Sequence, residues 1–165
     1  MVFLDTCIWI ELCGVKSPIT PNEIRQAEAA STLLQQLLQD EEVIVSCNEQ
    51  LLEIISAIQK IKLKEYNRTA RSNGRRGCGD IKEFRSNHED FLVTKSLCKS
   101  IIDDVKHFAR IDQCNYNVDD VLDKMDLADL NDCIYFDYCK QNDIHLYTFD
   151  SDICNIESLS IVHIL

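Results

Sequence analysis

The chain has 165 residues, 45% of them hydrophobic, which suffices to bury a core as a single domain over residues 1–165. Its longest apolar stretches have only strand length, far short of the roughly 20 residues that span a bilayer. The opening apolar run meets Asp5 at once, unlike the core of a signal peptide. We therefore expect a cytoplasmic protein with no membrane partner.

Charge and cysteine content narrow the classes of function further. The net charge is −11, yet nine of the 17 basic residues and only three of the 28 acidic ones lie between Lys60 and Arg85. This basic segment could be a solubilising loop, or it could contact the phosphate backbone of RNA. The nine cysteines are odd in number and form no C-x-x-C pair, which favours reduced thiols over a disulfide or zinc scaffold. The candidates for RNA contact are Arg68, Arg71, Arg75 and Arg76.

In chain order, the predicted elements begin with a short buried strand at 2–6 that a carboxylate ends. A helix from Pro21 to about Gln39 is followed by a strand at 43–45 and by a helix capped near 46–48. Residues 67–80 hold three of the four glycines and are expected to form a loop. We expect two further helices between about 81 and 111, a short helix near 118–124 and another helix from about 129 to 141. Strands at 144–148 and 160–164 close the chain, an order typical of an α/β sheet.

Four acidic residues are expected to converge beyond the strand ends of this sheet. Asp5 and Asp150 each follow a strand, Glu53 lies in the second turn of a helix, and Asp132 lies in the first turn of another. Converging carboxylates raise one another's pKa values, and a hard divalent cation such as Mg²⁺ or Mn²⁺ resolves the repulsion. With a nucleic-acid phosphate, such a site hydrolyses a phosphodiester without a covalent nucleophile.

Several short motifs resemble the PIN domain family over nearly the whole chain. They are Phe3-Leu4-Asp5-Thr6 and the segments 46–53, 130–134 and 146–150. In that family, a first-strand Asp followed by Thr or Ser, a helix Glu, a helix Asp and a Thr-x-Asp after the fourth strand form a metal site. The sixteen-residue step from Asp132 to Thr148 resembles the family's usual spacing.

The resemblance implies a three-layer α/β/α fold with a central parallel sheet of four to five strands. It also implies a metal-dependent endoribonuclease with Mg²⁺ or Mn²⁺ as cofactor and RNA as substrate. Family members are most often toxins silenced by a cognate antitoxin, and many dimerise, so an antitoxin protein and a second copy of the chain are further implied partners. The implied catalytic and metal-binding residues are Asp5, Glu53, Asp132 and Asp150, with Thr6, Asn131 and Thr148 orienting them.

Two other functions fit parts of the sequence. The run Asp150-Ser151-Asp152 after a strand suggests a haloacid-dehalogenase-like phosphatase, but that family needs its Asp-x-Asp on the first strand, where Cys7 stands two residues after Asp5. A non-catalytic RNA- or protein-binding module on the same fold is the second alternative. Four acidic residues keep open roles: Glu49, which competes with Glu53 for the helix position, Glu11, Asp152 and Asp129, for which an N-cap is the simple reading.

Overall fold

The computed structural model of the chain describes residues 1–156 and 160–165 and contains a parallel sheet with helices on both faces. The strands are Val2–Leu4 (β1), Ile44–Cys47 (β2), Arg110–Asp112 (β3), His145–Thr148 (β4) and Val162–Ile164 (β5). The helices are Thr6–Leu12 (α1), Pro21–Gln39 (α2), Asn48–Ser72 (α3), Ile81–Arg85 (α4), His88–Phe108 (α5), Val118–Leu122 (α6) and Leu130–Asn142 (α7). None of these helices has an apolar stretch of the length that crossing a bilayer requires.

The sheet has five strands in the order β3-β2-β1-β4-β5, and every neighbouring pair is parallel. The prediction of a three-layer α/β/α fold around a parallel sheet of four to five strands is confirmed. Because β1 lies at the centre, its carboxyl end is flanked by the carboxyl ends of β2 and β4. Side chains that follow these three strands therefore meet at one edge of the sheet.

Alternate side chains of the sheet enter two separate cores. Val2, Leu4 and Ile44 pack against α1, α2, α3 and α5 on one face. Phe3, Val45 and Leu146 pack against α6 and α7 on the other. Burial on both faces explains why β1 is a continuous apolar run rather than an alternating one, and why all four residues of β2 are buried. Trp9 belongs to the first core with only 1% of its surface exposed, so it is a packing residue.

One prediction for the middle of the chain is wrong, and one strand is missed. Residues 67–72 continue α3 rather than starting a loop, because no helix breaker precedes Gly74, whose φ of 68° lies just past the helix. The loop is consequently shorter, and the Asn67 side chain holds it by bonding both the N–H and the carbonyl of Cys78. The two helices expected between about 81 and 111 are confirmed as α4 and α5. The sequence does not predict β3, an edge strand of three residues that is too short for a periodic signal.

A buried amide ties α3 to the ends of the two central strands. The Gln50 side chain is fully buried and donates through Nε2 to the Leu4 carbonyl at 2.7 Å. Its Oε1 accepts from the Ser46 hydroxyl at 2.7 Å. The N-cap of α3 lies within the predicted stretch 46–48, at Cys47, but without a side-chain cap bond, since Ser46 bonds Gln50 instead. Since Leu4 precedes Asp5, this clamp sets the distance between α3 and the first predicted site residue.

We expect Gln50→Leu to lower the free energy of unfolding by roughly 2 kcal/mol, because the Ser46 hydroxyl and the Leu4 carbonyl would lose a partner while remaining buried. Urea denaturation measures the change. Gln35→Leu, on the exposed face of α2, is the control and should leave the unfolding midpoint nearly unchanged. Equal midpoints for the two variants would contradict the clamp.

Candidate active site

A cleft of about 750 Å³ opens at the carboxyl edge of the sheet. It is lined by all four acidic residues that the sequence singles out, Asp5, Glu53, Asp132 and Asp150. Strand ends place Asp5 and Asp150, while the second turn of α3 places Glu53 and the first turn of α7 places Asp132. The structure thus brings the four side chains together, and their roles as metal ligands stay a prediction.

Asp5 is the most enclosed of the four, with 7% of its surface exposed. It occupies the N-cap position of α1, where its Oδ1 accepts from the Thr6 N–H at 2.6 Å. Its Oδ2 accepts from the Thr148 hydroxyl at 2.7 Å and from the Cys7 thiol at 3.1 Å. Burial raises the pKa of Asp5, while these three donors act to lower it and the negative charge of Glu53 adds to the rise.

Thr148 connects two of the carboxylates. Its hydroxyl donates to Asp5 and accepts from the Asp150 backbone N–H at 2.9 Å. Asp150 in turn accepts at Oδ1 from the Asp152 N–H at 2.9 Å, which closes a tight turn after β4. Asp152 itself is exposed and does not line the cleft. Asp152 therefore contributes through its backbone N–H, which fixes the Asp150 carboxylate.

Glu53 is oriented by two hydroxyl groups. Its Oε2 accepts from Thr6 Oγ1 at 2.7 Å and from Tyr135 Oη at 2.8 Å. The sequence predicts the contribution of Thr6 and misses that of Tyr135, which reads as an apolar core residue. Tyr135 follows Asp132 by three positions on α7, so the two share a helix face, and this spacing is the signal that could have identified it.

Asp132 shows how strongly the cleft concentrates negative charge. Burial is the largest cause of its raised pKa of about 7, followed by the charges of Asp5, Asp150 and Glu53. A carboxyl group that gains a proton this readily is in an environment short of positive charge. A cation bound beside it would lower that pKa again and restore the carboxylate.

The acidic residues with open roles fall into distinct places. Glu11 lies at the cleft rim, where Lys16 Nζ contacts its carboxylate at 3.2 Å and that of Glu23 at 3.1 Å. Asp129 occupies the N-cap position of α7 and lines the cleft, but its side chain makes no cap bond there. Glu49 does not line the cleft, which leaves Glu53 as the helix glutamate of this site.

The remaining predicted residues differ in whether they line the cleft. Asn131 is half-buried and is not among the described residues that line it. Arg68 lines the cleft together with Lys64, one turn before it on α3. Arg71, Arg75 and Arg76 are exposed outside the cleft, and Arg76 lies 3.8 Å from Glu83. The basic segment therefore begins inside the cleft and extends away from it.

The residues present fit a hard divalent ion that keeps part of its hydration shell. Their donor atoms are carboxylate oxygens, which Mg²⁺ and Mn²⁺ prefer. Among the described residues, no three of these carboxylates have oxygens within 4.8 Å of one another, so the cleft does not form a closed cage. Mg²⁺ typically takes one or two protein carboxylates and retains several waters, which agrees with such an open arrangement.

No family model, curated protein or solved structure matches the chain in comparisons with known proteins. The interpretation of the cleft therefore depends on its own residues.

Proposed function

We propose that this protein is a metal-dependent endoribonuclease of the PIN type, acting in the cytoplasm as the toxin of a toxin–antitoxin pair. The observation that carries the proposal is the meeting of Asp5, Glu53, Asp132 and Asp150 in one cleft. The order of the motifs along the chain supports the family, as does the five-stranded parallel sheet. The cognate antitoxin and a second copy of the chain are the partners that this family assignment brings with it.

The four carboxylates would hold Mg²⁺ or Mn²⁺, one or two of them directly and the others through water that the ion retains. When bound at such a site, an ion of this kind stabilises negative charge on a phosphodiester and makes water a better nucleophile. The chain's own contribution is orientation: Thr148 and Cys7 fix the Asp5 carboxylate, and Thr6 and Tyr135 fix that of Glu53. Groups held in this way do not have to reorganise during the reaction.

Arg68 and Lys64 supply positive charge in the same cleft as the carboxylates. Their side chains are exposed, so they are available to the phosphate backbone of an RNA strand that enters the cleft. Arg71, Arg75 and Arg76 extend the same basic segment and would contact phosphates farther from the cleavage position. Contacts of this kind position RNA without reading its sequence.

The alternative functions have weaker support. A haloacid-dehalogenase-like phosphatase would use the Asp150-x-Asp152 pair, but Asp152 is exposed and outside the cleft. A non-catalytic binding module would retain the basic segment and have no need of the donors that fix Asp5 and Glu53. Metal-dependent cleavage of RNA distinguishes both alternatives from the proposal.

We expect the purified protein to cleave RNA in the presence of Mg²⁺ or Mn²⁺, and EDTA to abolish this activity. Asp132→Asn should lower the cleavage rate by at least about 100-fold, because losing even an outer partner of a metal ligand costs 10–100-fold. The measurement is the initial rate of cleavage of a labelled RNA, with circular dichroism to show that the variant is folded.

The control is Asp126→Asn, since Asp126 is exposed and does not line the cleft. This variant should retain the rate of the unsubstituted protein. Full activity of Asp132→Asn, or activity that persists in excess EDTA, would exclude the proposed function.

Tyr135→Phe should raise the Mn²⁺ concentration needed for half-maximal activity by about 10- to 100-fold with a smaller effect on the maximal rate, because Glu53 loses an orienting hydroxyl. Tyr138→Phe is a matched control. Both tyrosines are buried on α7 and bond a carboxylate, but Tyr138 contacts Asp112, outside the cleft. Metal titrations of activity measure the difference, and equal shifts in the two variants would show that Tyr135 acts only through stability.

Arg68→Ala should weaken RNA binding and reduce the dependence of log K on log salt by about 1, the effect of losing one phosphate contact. Binding is measured by fluorescence anisotropy across a salt series in the absence of divalent ions. Lys106→Ala, in the last turn of α5, is the control and should leave the slope unchanged. An unchanged slope in Arg68→Ala would assign the basic segment to solubility.

A further inference from the structure

A second group of metal-ligating side chains lies outside the cleft. The sulfur atoms of Cys47 and Cys114 and a carboxylate oxygen of Glu49 all lie within 4.8 Å of one another. None of the three residues lines the carboxylate cleft. Among the described residues, no other three Asp, Glu, His or Cys side chains bring their ligand atoms within 4.8 Å of one another.

The fold brings these three residues together from three elements. Cys47 is the last residue of β2, and Glu49 follows in the first turn of α3. Cys114 lies two residues beyond β3, the parallel neighbour of β2, in which Asp112 is paired with Cys47. The sheet and the helix hold the chain around Cys47 and Glu49, and Cys114 is fixed by burial in the core formed with α6 and α7.

The chemistry of the donor set differs from that of the cleft. Two thiolates with one carboxylate suit a borderline ion such as Zn²⁺ and not Mg²⁺, which takes oxygen ligands. Zn–S bonds of about 2.3 Å place two sulfurs of a tetrahedral site roughly 3.8 Å apart, a spacing that the observed separation can meet with small side-chain movements. Cys47 is fully buried and Cys114 is 7% exposed, while Glu49 is half-buried and leaves a direction open to solvent.

We propose that Cys47, Glu49 and Cys114 bind one Zn²⁺ ion, with water as the fourth ligand. The ion would join the end of β2 to the segment that leaves β3. This edge strand has only three residues and is partly exposed, so a cross-link at its end would stabilise the edge of the sheet. The proposal does not rest on the nuclease function, since the two sites share no residue.

The test uses the full chain, reduced and freed of metal, and titrates it with Co²⁺ as a spectroscopic probe for Zn²⁺. We expect a thiolate-to-cobalt charge-transfer band that saturates at one equivalent and disappears when one equivalent of Zn²⁺ is added. Zn²⁺ should also raise the melting temperature. The absence of this band in the reduced protein would overturn the proposal.

Variants assign the band to these residues. Cys114→Ser should abolish it, whereas Cys98→Ser should retain it, because Cys98 is equally buried, at 7% exposure, but lies in the opposite core. Glu49→Gln changes a half-buried side chain and should lower Zn²⁺ affinity by at least about tenfold even if Cys114→Ser does not fold. Equal affinity in Glu49→Gln, or loss of the band in Cys98→Ser, would contradict the assignment.

Two more measurements distinguish the zinc site from the carboxylate cleft and from a redox-active cysteine pair. Asp132→Asn should keep the cobalt band, so failure of the nuclease proposal leaves the zinc site standing and the reverse also holds. The second measurement is the mass of the protein after exposure to air. A mass lower by two hydrogens would indicate a Cys47–Cys114 disulfide. If the reduced protein also took up no metal, the pair would be assigned to redox chemistry and the zinc proposal would be overturned.

Discussion

The constraint that organises this protein is the mutual repulsion of four carboxylates at one edge of a parallel sheet. Elsewhere the chain neutralises its partly buried acids with cations: Lys124 contacts Asp137 at 3.0 Å and Arg110 contacts Asp112 at 2.6 Å. Among the ion pairs of the described residues, none involves the four carboxylates of the cleft. The donors that contact these carboxylates are hydroxyl groups, a thiol and backbone N–H groups, which orient a carboxylate and leave its charge in place. Such an arrangement leaves the four carboxyl groups without a cationic partner from the described part of the chain.

The fold makes this arrangement stable by fixing where α3 begins. Gln50 joins the start of this helix to β1 and β2, and the helix then presents Glu49 and Glu53 one turn apart. Glu53 joins the carboxylates next to β1, and Glu49 joins the thiols at the ends of β2 and β3. Neighbouring turns of one helix thus contribute to two groups of side chains with different chemistry, each beside a different pair of strands.

The parts of the fold that sequence could predict are those with a strong local signal. Pro21 after Thr20, with Glu23 completing a capping box, marks the start of α2, and an apolar run ended by Asp5 marks β1. The three residues of β3 carry no such pattern, and the glycines after residue 73 do not reveal that α3 extends through Arg71 to Ser72.

The residues of the candidate site also fall into those that the sequence can predict and those that it cannot. Acids that directly follow strands can be placed at a sheet edge from topology alone, which is why Asp5 and Asp150 were accessible to prediction. The contact of Tyr135 with Glu53 joins residues 82 positions apart in the sequence. The pair of Cys47 and Cys114 belongs to no C-x-x-C motif from which a metal site could be predicted. Helical spacing can place Tyr135 on the same face of α7 as Asp132, but which residue it contacts across the fold depends on how the helices pack on the sheet.

The charge distribution along α3 removes the apparent conflict between an acidic protein and the RNA substrate that we propose. The helix carries Glu53 near its start and Lys64 and Arg68 farther along, and Lys64 lies roughly 17 Å beyond Glu53 along the axis at 1.5 Å per residue. This separation exceeds the screening length of about 8 Å at physiological salt, so the carboxylates do not cancel the attraction of the basic segment for phosphate. A phosphate drawn to Arg68 would still be repelled at the carboxylates unless a divalent cation is present. In the nuclease that we propose, association with RNA and admission of the scissile phosphate would therefore be separate electrostatic steps, the first governed by the basic segment and the second by the cation.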